Sequence, residues 1–215
     1  GHHLLLSGPK GCGKTSLVER IPGILPDLTR EEALELSAIQ SLAGTLDPVV
    51  GFPTRPPYSA PHHDASKASL IGGGLGVVRP GEVSKAHTGV LFLDEFPLFR
   101  TDVIEALRQP LENGDVTIAR RDESVTLPAR GMVVLAANPC PCGDYTNDVH
   151  RNCCICKPAQ RRDYRNKVTG PVADRVDIVR HLSALRAPDA AADLDPPEST
   201  ARVRSRVEAA RARQA

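Results

Sequence analysis

Near its start the chain carries Gly8-Pro9-Lys10-Gly11-Cys12-Gly13-Lys14-Thr15, set between the apolar run Leu4–Leu6 and Ser16–Ile21, a segment able to begin a helix. No other stretch narrows the possible folds as much. A glycine-rich loop at a strand-to-helix turn is the setting of a phosphate-binding P-loop. Glycines let the backbone curl so that successive N–H groups face inward, and the helix start adds partial positive charge where a polyphosphate would lie. Lys14 is expected to neutralise the β- and γ-phosphates and the Thr15 hydroxyl to hold Mg²⁺. The bland alternative is a glycine-rich turn that matches by accident. Choosing between them requires the other parts of a nucleotide site downstream.

Two later apolar runs supply them. Val90-Leu91-Phe92-Leu93 ends in Asp94 and Glu95. A continuous apolar run suits a parallel strand covered on both faces, and ligands of such sheets gather at the carboxyl ends of the strands. Asp94 is therefore expected beside the P-loop, orienting Mg²⁺ through its water shell, with Glu95 as general base toward the attacking water. Met132–Ala137 reads as a second buried strand that delivers Asn138. A neutral amide there can donate to the γ-phosphate and hold the hydrolytic water without altering the local charge balance.

The remaining segments decorate this frame. Thr29-Arg30-Glu31-Glu32 is a capping box that opens a helix, with Ala33, Leu34, Leu36, Ile39 and Leu42 as its apolar stripe and Gly44 as its end. Residues 45–88 are rich in Gly, Pro and His and read as a long insertion that carries contacts, with a short hairpin of its own. Within it, His62-His63-Asp64 invites a metal reading, but adjacent side chains usually point apart, and a polar loop docking on a neighbouring subunit or substrate is favoured. Asp102–Glu112 is expected as one helix capped by Thr101, with Val103, Ile104, Leu107 and Leu111 inward. Residues 115–128 alternate as a β-hairpin around the charged tip Arg120-Arg121-Asp122-Glu123, which either touches nucleic-acid phosphates or is a solvated turn.

Cysteine usage is lopsided. Apart from Cys12, the cysteines all fall together as Cys140, Cys142, Cys153, Cys154 and Cys156. A disulfide scaffold spreads its cysteines, whereas a tight cluster reads as a metal site in a reducing, cytoplasmic setting. Cys140, Cys142, Cys154 and Cys156, with Cys153 as the alternative, form two C-x-C pairs suited to a structural tetrahedral Zn²⁺. Reduced free thiols and reactive redox thiols are the competing readings. A net charge of +1 provides no global footprint for nucleic acid, so any DNA contact is local. Nothing reads as a membrane span or signal peptide, and the opening Gly1-His2-His3 reads as native sequence of a piece of a longer protein rather than a tag remnant. Residues 187–199 look like a linker, and Thr200–Ala215 is a basic helical tail.

These residues together resemble the AAA+ ATPases, and within them the magnesium-chelatase-like family with its ComM-like members. The likeness rests on nearly the whole chain, above all on Ala60-Pro61-His62-His63, Leu70-Ile71-Gly72-Gly73-Gly74, Arg79-Pro80-Gly81-Glu82, Ala86–Glu95, Leu107–Glu112 and Asn138-Pro139-Cys140-Pro141-Cys142-Gly143. It implies an α/β fold, a three-layer αβα core over residues 1–186 with a parallel central sheet, followed by the start of a helical lid at 200–215. It makes Gly8, Pro9, Lys10, Gly11, Cys12, Gly13, Lys14, Thr15 and Ser16 the Walker A nucleotide contacts, Asp94 and Glu95 Walker B, and Asn138 sensor 1. Arg175, in Asp174-Arg175, resembles an arginine finger that acts in trans on a neighbour's ATP, which implies a homo-hexameric ring. The implied activity is an ATP-driven motor for DNA branch migration in natural transformation. The alternatives are a chelatase-type or MoxR-like ATPase that remodels a protein partner, and a zinc-bearing structural module with a degenerate P-loop.

Overall fold

The computed structural model describes residues 2–47, 49, 51–74, 77–119, 124–146, 153–170, 172–183 and 198–214. In chain order the elements are β1 (Leu4–Ser7), α1 (Lys14–Val18), α2 (Ile21–Ile24), α3 (Arg30–Ala43), β2 (Tyr58–Ser59), α4 (Lys67–Ile71), β3 (Gly72–Gly73), β4 (Arg79–Pro80), α5 (Glu82–Lys85), β5 (Val90–Leu93), α6 (Thr101–Ala106), α7 (Arg108–Asn113), β6 (Asp115–Ala119), β7 (Ser124–Pro128), β8 (Met132–Ala137), α8 (Pro158–Val168), β9 (Ile178–His181) and α9 (Thr200–Ala212). Five strands form one sheet in the order β2-β5-β8-β1-β9, every neighbour parallel.

Side chains alternate across a strand, so the apolar runs dress both faces of this sheet. Leu5, Leu91, Leu93, Val133 and Leu135 face one way, packed with Leu70 of α4, Val83 of α5, Val103 of α6 and the hairpin residues Val116 and Leu127. Leu6, Val90, Phe92, Val134 and Ala136 face the other, against Val18 of α1 and Leu25. The result is the helix–sheet–helix layering of an α/β P-loop fold. Each fully buried aliphatic side chain stabilises it by about 1.5–3 kcal/mol. Because β8 lies between β1 and β5, the residues following all three strands emerge side by side at one edge.

Several expectations are corrected in detail. The stripe of α3 is narrower than read. Thr29 and Glu32 make the reciprocal capping bonds and Gly44 ends the helix in the left-handed conformation. Leu34 and Leu42, however, are exposed, while Ala33, Leu36 and Ile39 are buried. The helix over 102–112 is two helices, α6 and α7, and Arg100 rather than Thr101 occupies the cap. Pro110 explains the break, since it has no N–H for the Ala106 carbonyl and its ring crowds that group. The 45–88 region is more than an insertion. It contains the short antiparallel pair β3–β4, but it also contributes β2 as an edge strand of the main sheet.

The hairpin forms as β6–β7 with Asp115 opposite Pro128; its tip, 120–123, lies outside the described residues, as do 147–152 of the cysteine loop and 187–197 of the linker. Helix α8 has no strong apolar pattern, and Tyr164 is its buried residue. The tail helix α9 packs on α2, with Arg204 paired to Asp27 at 2.9 Å. Among the described residues no helix is long and apolar enough to cross a membrane.

Candidate nucleotide site and cysteine cluster

The loop from Gly8 to Gly13 leaves β1 and turns into α1 through Gly13, whose φ of 85° is a left-handed conformation that a side chain would strain. Lys14, the first residue of the helix, folds back over this loop. Its ammonium donates to the carbonyls of Gly8 at 2.8 Å and Pro9 at 2.9 Å, and to Asn138 Oδ1 at 3.0 Å. The side chain of Cys12 also lies beside it. Lys14 is only 7 % exposed, so its charge is held by these oxygens rather than by bulk water.

One residue on, the Thr15 hydroxyl donates to Asp94 Oδ2 at 2.8 Å, and the other Asp94 oxygen accepts from the Glu95 N–H at 2.8 Å. Glu95 has φ 50° and ψ 39°, an uncommon backbone for a side-chain-bearing residue, which swings its carboxylate out of the line of β5. A cavity of about 290 Å³ opens here, lined by Thr15, Glu19, His63, Phe92, Asp94 and Glu95. A larger cleft of about 570 Å³, lined by Leu25, Thr29, Met132 and Arg211 among others, contains none of the P-loop residues, Asp94 or Asn138. The P-loop, Asp94, Glu95 and Asn138 are thus brought together from β1, β5 and β8. Ser16 lies exposed on α1, and its carbonyl accepts from Arg20.

Residues 1–190 match the family model described as magnesium chelatase, subunit ChlI. The chain belongs to that family. It is 51% identical over 211 residues to an uncharacterized protein of Mycobacterium tuberculosis, covering 98% of this chain and 41% of that protein. It is 44% identical over 214 residues to YifB of Escherichia coli, covering 100% and 41%, and 41% identical over 206 residues to the competence protein ComM of Haemophilus influenzae, covering 96% and 39%. The chain therefore spans about two fifths of the length of these relatives. At the level of the magnesium chelatase family, it is an ATPase-type module.

Two contacts at this family's site carry no sequence signal. His63 Nδ1 stands 3.7 Å from Glu95 Oε2, bringing the 45–88 region onto the carboxylate. The rings of His62 and His63 do not point apart as expected but lie with centroids 4.1 Å apart, and they group with Asp64, with His62 and Asp64 exposed and His63 half-buried. Tyr164 of α8 is buried beside Asn138. Burial pushes its phenol up to about 12, against the pull of the Asn138 backbone N–H. Arg175 sits in the short turn Ala173–Arg175 before β9 and is ion-paired with Glu112 at the end of α7.

The cysteines gather beyond Asn138. Cys140 and Cys142 have sulfurs 3.3 Å apart, and both approach Cys154, at 3.5 and 3.6 Å. With Cys156 the four sulfurs all lie within 4.8 Å of one another, whereas Cys153 is exposed and outside the group. Four thiolates about 2.3 Å from a tetrahedral Zn²⁺ sit about 3.8 Å apart, so this donor set fits. The Cys142 thiol is drawn down to about 6, chiefly by the Asp144 backbone N–H, while burial pushes Cys140 up to about 12.

Proposed function

We propose that the chain is the ATP-hydrolysing AAA+ module of a ring-forming, ComM-like motor that moves DNA branches during recombination in natural transformation. The observation that carries the ATPase part is the convergence of Lys14, Thr15, Asp94, Glu95 and Asn138 at adjoining strand ends, with Thr15 bonded to Asp94 and Lys14 to Asn138. The DNA part rests on the resemblance to ComM-like members, and the competence protein of Haemophilus influenzae is 41% identical to this chain.

ATP binding exchanges the inward contacts of Lys14 for phosphate oxygens, and the loop amides from Gly8 to Thr15 surround them. Mg²⁺, when bound, would supply positive charge that offsets the charge of the phosphates. Thr15 and Asp94 already share a hydrogen bond, and they are the pair that would hold it. Glu95 accepts a proton from the attacking water, Asn138 positions that water against the γ-phosphate, and a neighbouring subunit's Arg175 stabilises the transition state. Within one subunit Arg175 is ion-paired with Glu112, a contact it would exchange for a neighbour's γ-phosphate in the ring. In this reading residues 1–186 form the core, 187–199 a linker and 200–215 the start of the lid. The four clustered cysteines hold a structural Zn²⁺.

The deciding experiment uses the full-length protein in ATPase and branch-migration assays with and without branched DNA, with Glu95→Gln as the control. DNA-stimulated turnover and branch movement, both lost in that variant, support the motor. ATPase stimulated by a protein partner and indifferent to DNA at low salt points instead to a chelatase-type or MoxR-like remodelling machine.

A further inference from the structure

The cysteine loop grips the tip of the P-loop. Lys10, at that tip, donates to the Cys142 carbonyl at 3.2 Å and pairs with Asp144 at 3.1 Å. Between these two residues lies Gly143, with φ 84°, and the stem of Lys10 passes over it. A Cβ on Gly143 would stand 3.2 Å from Lys10 Cδ, so the position is bare both for its backbone and for the lysine it supports. At the near end of the loop, Cys140 follows Asn138 by two residues, and Asn138 accepts from Lys14. Both lysines of the P-loop are therefore held by groups within a few residues of the first cysteine pair.

Sulfur contacts, rather than apolar packing, tie the second cysteine pair to the first. Cys140 is buried, but Ile155, between Cys154 and Cys156, is 88 % exposed. A bound metal would turn these close sulfur contacts into a fixed cross-link. Without it only weak sulfur contacts remain, and the loop loses the tie that sets Cys142 and Asp144 under Lys10. The cost of ordering the P-loop tip then falls on nucleotide binding, which weakens it.

We propose that metal occupancy of the Cys140, Cys142, Cys154 and Cys156 site, by a soft tetrahedral divalent cation of the zinc class, clamps the P-loop through Lys10 and thereby sets nucleotide affinity. The inference rests on the zinc reading above and adds a regulatory consequence to it.

The test takes the purified chain as isolated, after stripping with a mercurial and chelator under reductant, and after reloading with Zn²⁺. Metal content, affinity for a non-hydrolysable ATP analogue and amide exchange over residues 8–13 are measured on each. About one zinc per chain is expected. Stripping should weaken nucleotide binding about five- to tenfold and speed exchange at the P-loop, and Zn²⁺ but not Mg²⁺ should reverse both. Asp144→Asn leaves all four sulfurs in place; it should keep its zinc yet bind the analogue about two- to fivefold more weakly, with faster exchange at the P-loop. Zinc that binds and leaves with no change in affinity or exchange, or an Asp144→Asn chain indistinguishable from the parent, overturns the clamp while leaving the zinc site standing. A chain that takes up no zinc removes the metal reading and the clamp together.

Discussion

Replacing Asn138 with aspartate changes one heavy atom and inverts the electrostatics of the proposed phosphate site. The side-chain oxygen already stands 3.0 Å from the Lys14 ammonium, and at an effective dielectric of about 20 a full negative charge there attracts it by about 5.5 kcal/mol. If desolvation of the new carboxylate cancels half of this, about 2.7 kcal/mol still holds Lys14 away from phosphate, which weakens ATP binding about 100-fold. The γ-phosphate would also meet a like charge. Asn138→Ala removes one neutral acceptor while the Gly8 and Pro9 carbonyls remain, so its affinity should fall by less than about tenfold. Calorimetry of both variants with ATP and with ADP reads the difference. Asn138→Asp should lose far more affinity for ATP than for ADP, with an unchanged or raised melting temperature in the absence of nucleotide. Parental ATP affinity in Asn138→Asp would refute the placement of this side chain between Lys14 and the γ-phosphate.

In the assembled full-length protein, Arg175→Ala should bind ATP normally and lose about 10³-fold or more in turnover; subunit-mixing experiments that show no dependence on a neighbour's Arg175 would remove its role in trans. His63→Ala should lower kcat with little effect on KM by releasing Glu95, and His63→Gln should restore part of it; equal rates in all three proteins would make the 3.7 Å approach incidental. Leu135→Ala in the central strand should cost about 2–5 kcal/mol in denaturant unfolding, and a loss below about 1 kcal/mol would contradict the two-faced burial of β8. Burial holds the fully enclosed His87 below the usual histidine value of 6.5, although Glu35 faces it, so the unfolded chain takes up the proton first. Stability from the neutral ring is therefore complete above about pH 6.5 and is lost as pH falls through its lowered folded value, and melting curves of His87→Gln should show a shallower decline below pH 6.5.

How much of this was readable beforehand follows from how local each signal is. The P-loop, the Asp94–Glu95 pair and Asn138 each end an apolar run, and the rule that ligands collect at carboxyl ends of parallel strands is enough to join them. The capping box at Thr29 and Glu32 is likewise local. Pro110 is local too, and its missing N–H accounts for the split of the helix at Leu107. What stayed hidden depends on contacts between distant segments. Nothing in Ala60-Pro61-His62-His63 alone says that His63 meets Glu95, and a strand as short as β2 has no periodicity to detect. Helix α8 buries little beyond Tyr164, so its face leaves almost no apolar pattern in the sequence. The pairing of Lys10 with Asp144 spans more than half the chain and involves two ordinary surface charges.

The sheet order also accounts for the chemical type of residue 138. Strand β8 is flanked by β1, which leads to the buried cation Lys14, and by β5, which leads to the carboxylates Asp94 and Glu95. An acid at the end of the middle strand would bind the ammonium and compete with phosphate for it. A base there would repel Lys14 and pair with Asp94, displacing the hydrogen bond from Thr15. A plain apolar side chain would leave Lys14 with one acceptor fewer and the incoming phosphate with no donor on that side. An amide avoids all three faults, since its oxygen accepts from Lys14 while its nitrogen remains able to donate toward the γ-phosphate. In the proposed nucleotide site the strand order thus favours a neutral donor–acceptor at this position, because it sets a cation on one side and anions on the other.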